Sequence, residues 1–210
     1  MPEYRLVIGT TNVAKCCELR DLLEPYGFHV QTLQEVGTPL KVVEDGDSFA
    51  ANAGKKAIEQ AKHLGAWVLA DDSGLAVDAL GGRPGVYSAR YAGESASDAD
   101  NNTRLLNELG DLPLERRIAH YVCHVAVADP TGELRAESAD VCHGRIVFEP
   151  AGANGFGYDP LFEVVEFHKT FGQLGPRVKS AISHRARALR GVVPKLLMLA
   201  DGGLWAAEKS

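Results

Sequence analysis

The five apolar residues AWVLA, at 66–70, are followed directly by two carboxylates, Asp71 and Asp72. A short apolar run of this kind, placed after a helical pattern that stops at Gly65, predicts a buried strand of an α/β sheet. Two neighbouring charges repel each other and would ordinarily lie in water. Because ligands bind beyond the carboxyl ends of strands in open α/β sheets, we predict that both carboxylates lie at the end of this strand, in a cleft.

The first third of the chain alternates strand and helix patterns. An apolar run at 4–10 predicts a strand, and a helical pattern and a second strand near 28–33 follow it. The long helix that precedes AWVLA is expected to begin at Asp47 or Ser48 as its N-cap and to end at Gly65. This alternation is typical of an α/β protein.

The second half of the chain adds a hairpin. A helix is predicted from about 97 to 109, with Ser97 as its N-cap. Residues 117–129 and 133–148 are interpreted as two strands of an antiparallel hairpin, joined by the turn DPTG. A final helix begins at the tripeptide SHR, and Pro194 is expected to kink or interrupt it. Together these elements predict an α/β body with a second lobe that carries the hairpin.

The size and composition of the chain exclude several classes of protein. At 210 residues it is predicted to form a single domain, 1–210, or two lobes around one cleft. A net charge of −6 argues against a general nucleic-acid binder, since such proteins carry a basic surface. Its four cysteines form no CxxC pair. No apolar stretch is as long as the about 18 residues that a membrane-spanning helix needs. We therefore expect a cytoplasmic protein with reduced thiols and without a membrane or nucleic-acid partner.

The segment GTTNVAK, Gly9 to Lys15, lies between the first strand and the first helix. Small and hydroxyl residues leave backbone N–H groups accessible, a helix N-terminus favours an anion, and Lys15 adds a positive charge. The segment could therefore hold a phosphate group. It is not a Walker loop, because GxxxxGK[ST] is absent, and an ordinary strand-to-helix turn is the alternative.

The acidic residues form the second candidate. Glu44, Asp45 and Asp47 occupy one loop, and Asp71 and Asp72 follow the buried strand. Hard oxygen ligands suit Mg²⁺, which is held by one or two carboxylates together with substrate phosphates. A further carboxylate could take a proton from an attacking water. For Asp45 and Asp47, a solvated loop and a helix cap remain the alternative.

Cationic and aromatic residues form two further candidates. Lys56, Lys179 and the tripeptide SHR at 183–185 could bind an anion. A lysine such as Lys56 at helical spacing more often belongs to a solvated helix face, and His184 beside Arg185 is equally often a helix start with a polar face. The segment GFGYDP, at 155–160, offers aromatic faces for a base, glycines for close approach, and Asp159 as an acceptor for ring N–H groups. Its alternative is a turn whose aromatic side chains fill the core.

Four segments taken together, TTNVAK, ADDSGLAVDALGGRPGVYSARYAG, NGFGYDPLF and KSAISHRARAL, resemble the inosine triphosphate pyrophosphatase family, also called dITP/XTP pyrophosphatases. They occur in the family's order and extend over nearly the whole chain. The resemblance implies a Mg²⁺-dependent homodimer that hydrolyses ITP, dITP and XTP to the monophosphate and pyrophosphate, and so removes deaminated purines from the nucleotide pool. It also implies an α/β fold with an elongated mixed sheet and two lobes around a central nucleotide-binding cleft.

The resemblance assigns roles residue by residue. Asp72 matches the catalytic base, Glu44 and Asp72 match the metal-binding positions, and Asp71 matches a supporting partner. The family usually has glycine where this chain has Thr11 and Ala14. The residues that match phosphate contacts are Thr10, Thr11, Asn12, Val13, Ala14, Lys15, Lys56 and Ser73. The residues that match the base and sugar pocket are Phe156, Gly157, Tyr158, Asp159, Lys179, His184 and Arg185.

The chemistry of such a reaction agrees with these residue types. Cleavage between the α- and β-phosphates needs an in-line water, a base for its proton and cations for the developing charge. Donors such as Arg185 facing the 6-oxo group would be left unpaired by adenine, which selects for hypoxanthine and xanthine. Two alternatives stay open: a pyrophosphatase for modified pyrimidine nucleotides, and a module that binds nucleotides without cleaving them.

Overall fold

A seven-stranded mixed sheet forms the framework of the protein in a computed structural model that describes residues 4–205, with the strand order β2-β1-β3-β4-β5-β6-β7. The strands are β1 (Tyr4–Ile8), β2 (Phe28–Thr32), β3 (Val68–Val77), β4 (Ile118–Ala128), β5 (Leu134–Ile146), β6 (Phe162–Val164) and β7 (Lys169–Thr170). The helices are α1 (Val13–Leu23), α2 (Leu33–Val36), α3 (Phe49–Leu64), α4 (Asp98–Leu109), α5 (Pro176–Ile182) and α6 (His184–Asp201). Strand β1 pairs in parallel with β2 and β3, whereas β6 pairs antiparallel with β5 and β7. The α/β class and the mixed sheet are confirmed.

Helix ends follow the local signals in the sequence. Ser48 caps α3 by accepting a hydrogen bond from the Ala51 N–H, and Gly65 ends that helix in the left-handed conformation with φ 61°. Ser97 and Asp100 form a reciprocal capping box at the start of α4. These predicted boundaries are confirmed because each depends on residues within a few positions of the helix end.

Strand β3 corrects the prediction for Asp71 and Asp72. The parallel pairing of β1 with β3 reaches Ile8 opposite Leu69, where β1 ends, but β3 itself continues to Val77. Both carboxylates therefore lie in the middle of a strand, just beyond the end of its neighbour. The apolar residues after Ser73 keep the chain extended, and cations beside the strand allow two charges to remain inside it.

Helix α6 is not interrupted at Pro194, where the sequence analysis expected a kink or an interruption. Pro194 lies inside this helix, which continues to Asp201 without interruption. Proline removes one backbone donor and normally breaks a helix, but Val192, Val193 and Leu196 are all buried around it. The packing of this apolar face holds the helix together through the proline.

The chain divides into two compact units. Unit 1 comprises the chain up to Asp72, Cys123–Asp140 and the chain from Arg185. Its sheet is covered on both faces, because alternate strand residues point to opposite sides. Ile8 and Leu69 pack in one cluster with apolar residues of α1 and α6. Val68 and Ala70 pack in another with the alanines of α3.

Unit 2 comprises Ser73–Val122 and Val141–His184. Its core contains apolar residues of α4 together with the rings of Tyr121, Phe162 and Phe171. The Phe162 and Phe171 rings are stacked at a centroid distance of 5.4 Å. Within residues 4–205 we find no helix whose length and apolar character would let it cross a lipid bilayer.

Candidate functional site

Asp71 and Asp72 point to opposite faces of β3, because side chains alternate along a strand. Asp71 is on the same side as Leu69, which packs with α1 and α6. Asp72 is on the same side as Val68 and Ala70, which pack with α3. The two neighbouring carboxylates are therefore separated by the sheet, and each has its own set of partners.

Asp71 is completely buried, with 0% of its surface exposed. Its Oδ2 atom lies 3.0 Å from Lys15 Nζ and accepts a hydrogen bond from Arg185 Nε at 3.2 Å. The Arg185 guanidinium also donates from Nη1 to Glu18 of α1. Burial would raise the pKa of Asp71, but the positive charges of Lys15, Arg185 and Lys56 outweigh it and hold that pKa far below its ordinary value. This carboxylate is thus ionised at any physiological pH.

Asp72 has a different environment, with 8% of its surface exposed. Its Oδ1 atom lies 3.4 Å from Lys56 Nζ, and its Oδ2 atom accepts a hydrogen bond from Asn52 Nδ2 at 3.1 Å. Burial raises the pKa of Asp72, the nearby Lys56 and Lys15 charges oppose this, and the Glu44 carboxylate adds to it. The net effect is a pKa above the ordinary value, which makes Asp72 a stronger base than an exposed carboxylate.

Lys56 connects Asp72 with the acidic loop. Its Nζ atom donates to Glu44 Oε2 at 2.7 Å and to Asp72 Oδ1 at 3.4 Å. Burial would lower the pKa of Lys56, but the carboxylates of Asp72, Asp71 and Glu44 raise it. Lys56 is buried, so the alternative of a solvated helix face is wrong for this residue.

The carboxylates of Glu44 and Asp72 are gathered around this one cation. In the described chain, 4–205, no three His, Cys, Asp or Glu side chains are grouped so that they alone could hold a metal ion. Mg²⁺ is typically bound through one or two carboxylates, with substrate phosphates and water completing its shell. Two carboxylates that already share a positive charge fit this requirement.

Asn52 is a site residue that the sequence analysis missed. Its side chain is buried, donates to Asp72 Oδ2, and accepts a hydrogen bond from the Gly46 N–H at 2.8 Å. A Cβ atom at Gly46 would lie 2.6 Å from Asn52 Oδ1, so the acidic loop needs a glycine to approach this closely. The available signal was its spacing, because Asn52 lies four residues before Lys56 and therefore on the same helix face.

The segment from Thr10 to Lys15 links the end of β1 to the start of α1. Asn12 is the N-cap, and its Oδ1 atom accepts from the Lys15 N–H at 3.1 Å. The segment from Thr11 to Ala14 is exposed, and the first-turn N–H groups of Val13 and Ala14 have no partner within the helix. The segment is an accessible helix N-terminus with no acidic residue in its first turn.

The predicted base-binding segment lies in unit 2, where Asp159 organises it. Asp159 is buried, and its Oδ2 atom accepts from Lys179 Nζ at 2.6 Å and from the Phe156 N–H at 2.9 Å. Its Oδ1 atom accepts from the Tyr121 hydroxyl at 3.4 Å. Both oxygens of Asp159 therefore already bind groups of the protein.

The aromatic residues of the segment differ in accessibility. Tyr158 is buried and its hydroxyl donates to the Ser88 carbonyl at 2.8 Å, so this ring fills the core. Phe156 is half-buried, and Lys179 Nζ lies 4.6 Å from the centre of its ring. Phe156 is the aromatic side chain of this segment that retains accessible surface.

The remaining predicted residues are distributed between the two units. His184 is buried in unit 2, where its ring stacks on Tyr121 with a centroid distance of 4.6 Å and an interplanar angle of 7°. Arg185 belongs to unit 1 and lies against Asp71 and Glu18. Ser73 is half-buried and is the first residue of unit 2.

Comparisons with known proteins agree on one family. The sequence profile of the Ham1 family matches residues 6–195. The dITP/XTP pyrophosphatase of Rhodopirellula baltica is 54% identical over 196 residues, which are 93% of this chain and 94% of that protein. The Staphylococcus aureus Ham1 protein superimposes with a TM-score of 0.80 at 38% identity and covers 94% of this chain and 99% of its own. A Mycobacterium abscessus nucleoside-triphosphatase / dITP/XTP pyrophosphatase gives a TM-score of 0.72 at 43% identity, over 89% of this chain and 97% of its own.

Proposed function

Because the chain belongs to the Ham1 family, we propose that it hydrolyses ITP, dITP and XTP to the nucleoside monophosphate and pyrophosphate, and so removes deaminated purines from the nucleotide pool. The relative from Rhodopirellula baltica is named a dITP/XTP pyrophosphatase. The observation that carries the proposal is the pair Asp71 and Asp72, consecutive in β3 and buried on its opposite faces, with their pKa values shifted in opposite directions. Such opposed shifts are typical of a catalytic carboxylate and its fixed neighbour.

Asp72 is the general base of the proposed reaction. A water molecule attacks the α-phosphorus, its oxygen forms the new P–O bond, and its proton passes to the Asp72 carboxylate. The bond from the α-phosphorus to the bridging oxygen breaks in line, and pyrophosphate leaves with the electron pair. The raised pKa of Asp72 favours this proton transfer, since a base works best when its pKa approaches the working pH.

Glu44 and Asp72 are the residues we assign to Mg²⁺. The metal, when bound, would neutralise charge on the phosphate oxygens. Lys56 lies between the same two carboxylates, and we assign it to the phosphates, where its ammonium group stabilises the charge that develops in the transition state. The test for the metal is the loss of turnover on chelation and its return on addition of Mg²⁺.

The triphosphate is assigned to the exposed N-terminus of α1. Thr10 to Lys15 offer hydroxyl groups, first-turn N–H groups and the positive end of the helix dipole. Lys15 is held beside Asp71, and that ion pair fixes the position from which its ammonium group reaches a phosphate. Ser73 is assigned as a further phosphate contact.

Phe156 to Asp159, together with Lys179, His184 and Arg185, are assigned to the base and sugar. Phe156 is the proposed direct contact, whereas Tyr158, Asp159 and Arg185 already bind protein groups and are assigned an indirect, positioning role. Phe156 provides the accessible aromatic face on which a purine stacks. Donors that pair with the 6-oxo group are left unpaired by the 6-amino group of adenine, at about 1–3 kcal/mol for each buried donor. The proposed selectivity is therefore for 6-oxo purines over adenine.

A substrate panel with detection of pyrophosphate tests the proposal. We expect release from ITP, dITP and XTP with Mg²⁺, and kcat/KM for ATP lower by roughly tenfold or more. Faster release from modified pyrimidine triphosphates would replace the purine assignment with the pyrimidine alternative. Nucleotide binding without any pyrophosphate release would identify a binding module and contradict the proposal.

We further propose that the protein is a homodimer that acts in the cytoplasm. The dimer follows from the family resemblance, and the cytoplasmic location follows from the nucleotide pool on which the reaction acts. Light scattering during size-exclusion chromatography measures the mass directly against the 22.5 kDa of one chain. A mass of one chain at micromolar concentration would contradict the dimer.

A further inference from the structure

Both backbone polar groups of Gly157 are held by one helix of the same unit. The Gly157 N–H donates to Asp98 Oδ2 at 2.6 Å, and the Gly157 carbonyl accepts from Asn102 Nδ2 at 3.0 Å. Asp98 and Asn102 are four residues apart in α4 and lie on the same face of that helix. Together they hydrogen-bond to Gly157, which lies 55 positions further along the chain than Asn102.

Gly157 gives its segment a backbone conformation that residues other than glycine rarely adopt. Its φ of 63° is in the left-handed region, which glycine adopts without strain. Phe156 precedes it and Tyr158 follows it, and Tyr158 is anchored separately through its hydroxyl on Ser88. The direction of the Phe156 side chain therefore depends on how the peptide groups of Gly157 are held.

Asn102 is an unfavourable residue for packing alone. It is 8% exposed, and among residues 4–205 its Oδ1 atom has no hydrogen-bond partner. A buried acceptor without a donor destabilises a fold, whereas an apolar side chain of the same shape would not. The bond to the Gly157 carbonyl is the interaction that a leucine at this position could not make.

We propose that Asp98 and Asn102 are positioning residues for the purine, which act by fixing the peptide groups of Gly157 and thereby the ring of Phe156. The proposal rests on the proposed function of Phe156 as the stacking surface for the base. It identifies two positioning residues, Asp98 and Asn102, that lie outside the four segments that resemble the family. Neither residue belongs to the segments assigned to the phosphates, so we expect both to affect substrate binding and to leave the chemical step unchanged.

The kinetic test compares three variants of α4. Asn102→Leu keeps the shape and removes the bond to Gly157, and Asn102→Asp places a negative charge against the Gly157 carbonyl. Thr103→Ala is the matched control, because Thr103 is exposed and its hydroxyl donates to the Ala99 carbonyl of its own helix. We expect KM for ITP to rise roughly three- to tenfold in Asn102→Leu and further in Asn102→Asp. We expect kcat to be retained and Thr103→Ala to match the wild type.

An unchanged KM in both Asn102 variants would overturn the proposal. A fall in kcat that follows the loss of thermal stability would also overturn it, because that pattern indicates a purely structural role. The melting temperature of Asn102→Leu is expected to stay close to that of the wild type, since the variant also removes the unpaired acceptor.

Hydrogen exchange gives a readout that does not depend on activity. The Gly157 amide is expected to be protected in the wild-type protein and to exchange faster in Asp98→Ala, which removes its acceptor. If no triphosphate is hydrolysed, the proposed function fails, while this measurement still reports the contact. If the amide loses protection but KM for ITP in the same variant does not change, the contact exists and its role in purine positioning is contradicted.

Discussion

The two faces of β3 give two identical and adjacent residues, Asp71 and Asp72, different electrostatic environments. On one face, a single oxygen of Asp71 is shared by the cations Lys15 and Arg185. On the other face, Asp72 has one cation at 3.4 Å, a neutral amide from Asn52, and the Glu44 carboxylate, which lies 2.7 Å from the same cation. The pKa of Asp71 is therefore lowered and that of Asp72 raised. The groups that lie against each face of the sheet, rather than the closeness of the two residues in the sequence, determine the pKa of each carboxylate.

The change with the largest expected effect on activity is Asp72→Asn. It removes the proposed base and keeps the shape, so we expect kcat for ITP to fall roughly 10²- to 10⁴-fold while nucleotide affinity stays within about tenfold, or 1.4 kcal/mol. Steady-state kinetics and a binding titration measure the two quantities. Because the folded state raises the pKa of Asp72, its charge opposes folding at neutral pH, and this variant should unfold no more easily than the wild type. Wild-type turnover would remove Asp72 from the mechanism.

Asp71→Asn should produce the complementary result, a loss of stability. Removing one partner of a buried ion pair leaves Lys15 and Arg185 without their shared carboxylate, and typically costs about 3–5 kcal/mol. The folded pKa of Asp71 lies below its unfolded value, so its stabilisation is complete above pH of about 4 and is lost as the pH falls below that. Chemical denaturation at neutral and acidic pH measures this difference between variant and wild type. A variant as stable as the wild type at neutral pH would contradict the stabilising role of Asp71 between Lys15 and Arg185.

The smallest effect on the two carboxylates is expected from Lys56→Met, which removes neither of them, although kcat should also fall because Lys56 is assigned to the charge that develops in the transition state. The Lys56 charge lowers the pKa of Asp72, so its removal should raise that pKa further and move the acid limb of the kcat/KM profile to higher pH. Lys55→Met is the matched control, because Lys55 is the adjacent residue and pairs with Asp45 in the exposed loop. Profiles measured at constant Mg²⁺ should shift for Lys56→Met and not for Lys55→Met. A shift to lower pH would contradict the proposed base.

The parts of the fold that the sequence predicted are those specified locally. Ser48 and Ser97 were identifiable as N-caps because capping involves residues three positions away. The strand that contains Asp71 and Asp72 was predicted to end too early, since a pair of charges after an apolar run is also the signal for a strand end. The pattern of β3 alone does not reveal that cations approach it from helices on both faces.

Prediction of the site from the sequence was limited in the same way. Its acidic and basic residues were identifiable by type, but their pairing was not, because Lys56 at helical spacing looks the same whether it is buried or solvated. Asn52 was missed although its spacing from Lys56 was available, and Asn102 was missed because nothing in α4 indicates a partner so far along the chain. Their partners lie 20 and 55 residues away, at Asp72 and Gly157.

The alternation of β3 also has an evolutionary consequence. A substitution in this strand changes one side chain, whereas a deletion of one residue, such as Ala70, transfers every later side chain to the opposite face. Asp71 would then be directed toward α3 and Asp72 toward α1 and α6, so each would meet the other's partners. We expect insertions and deletions to persist in turns such as the one between Asp129 and Glu133 and to be eliminated from 68–72. Natural selection should preserve the length of this segment as strictly as its two carboxylates.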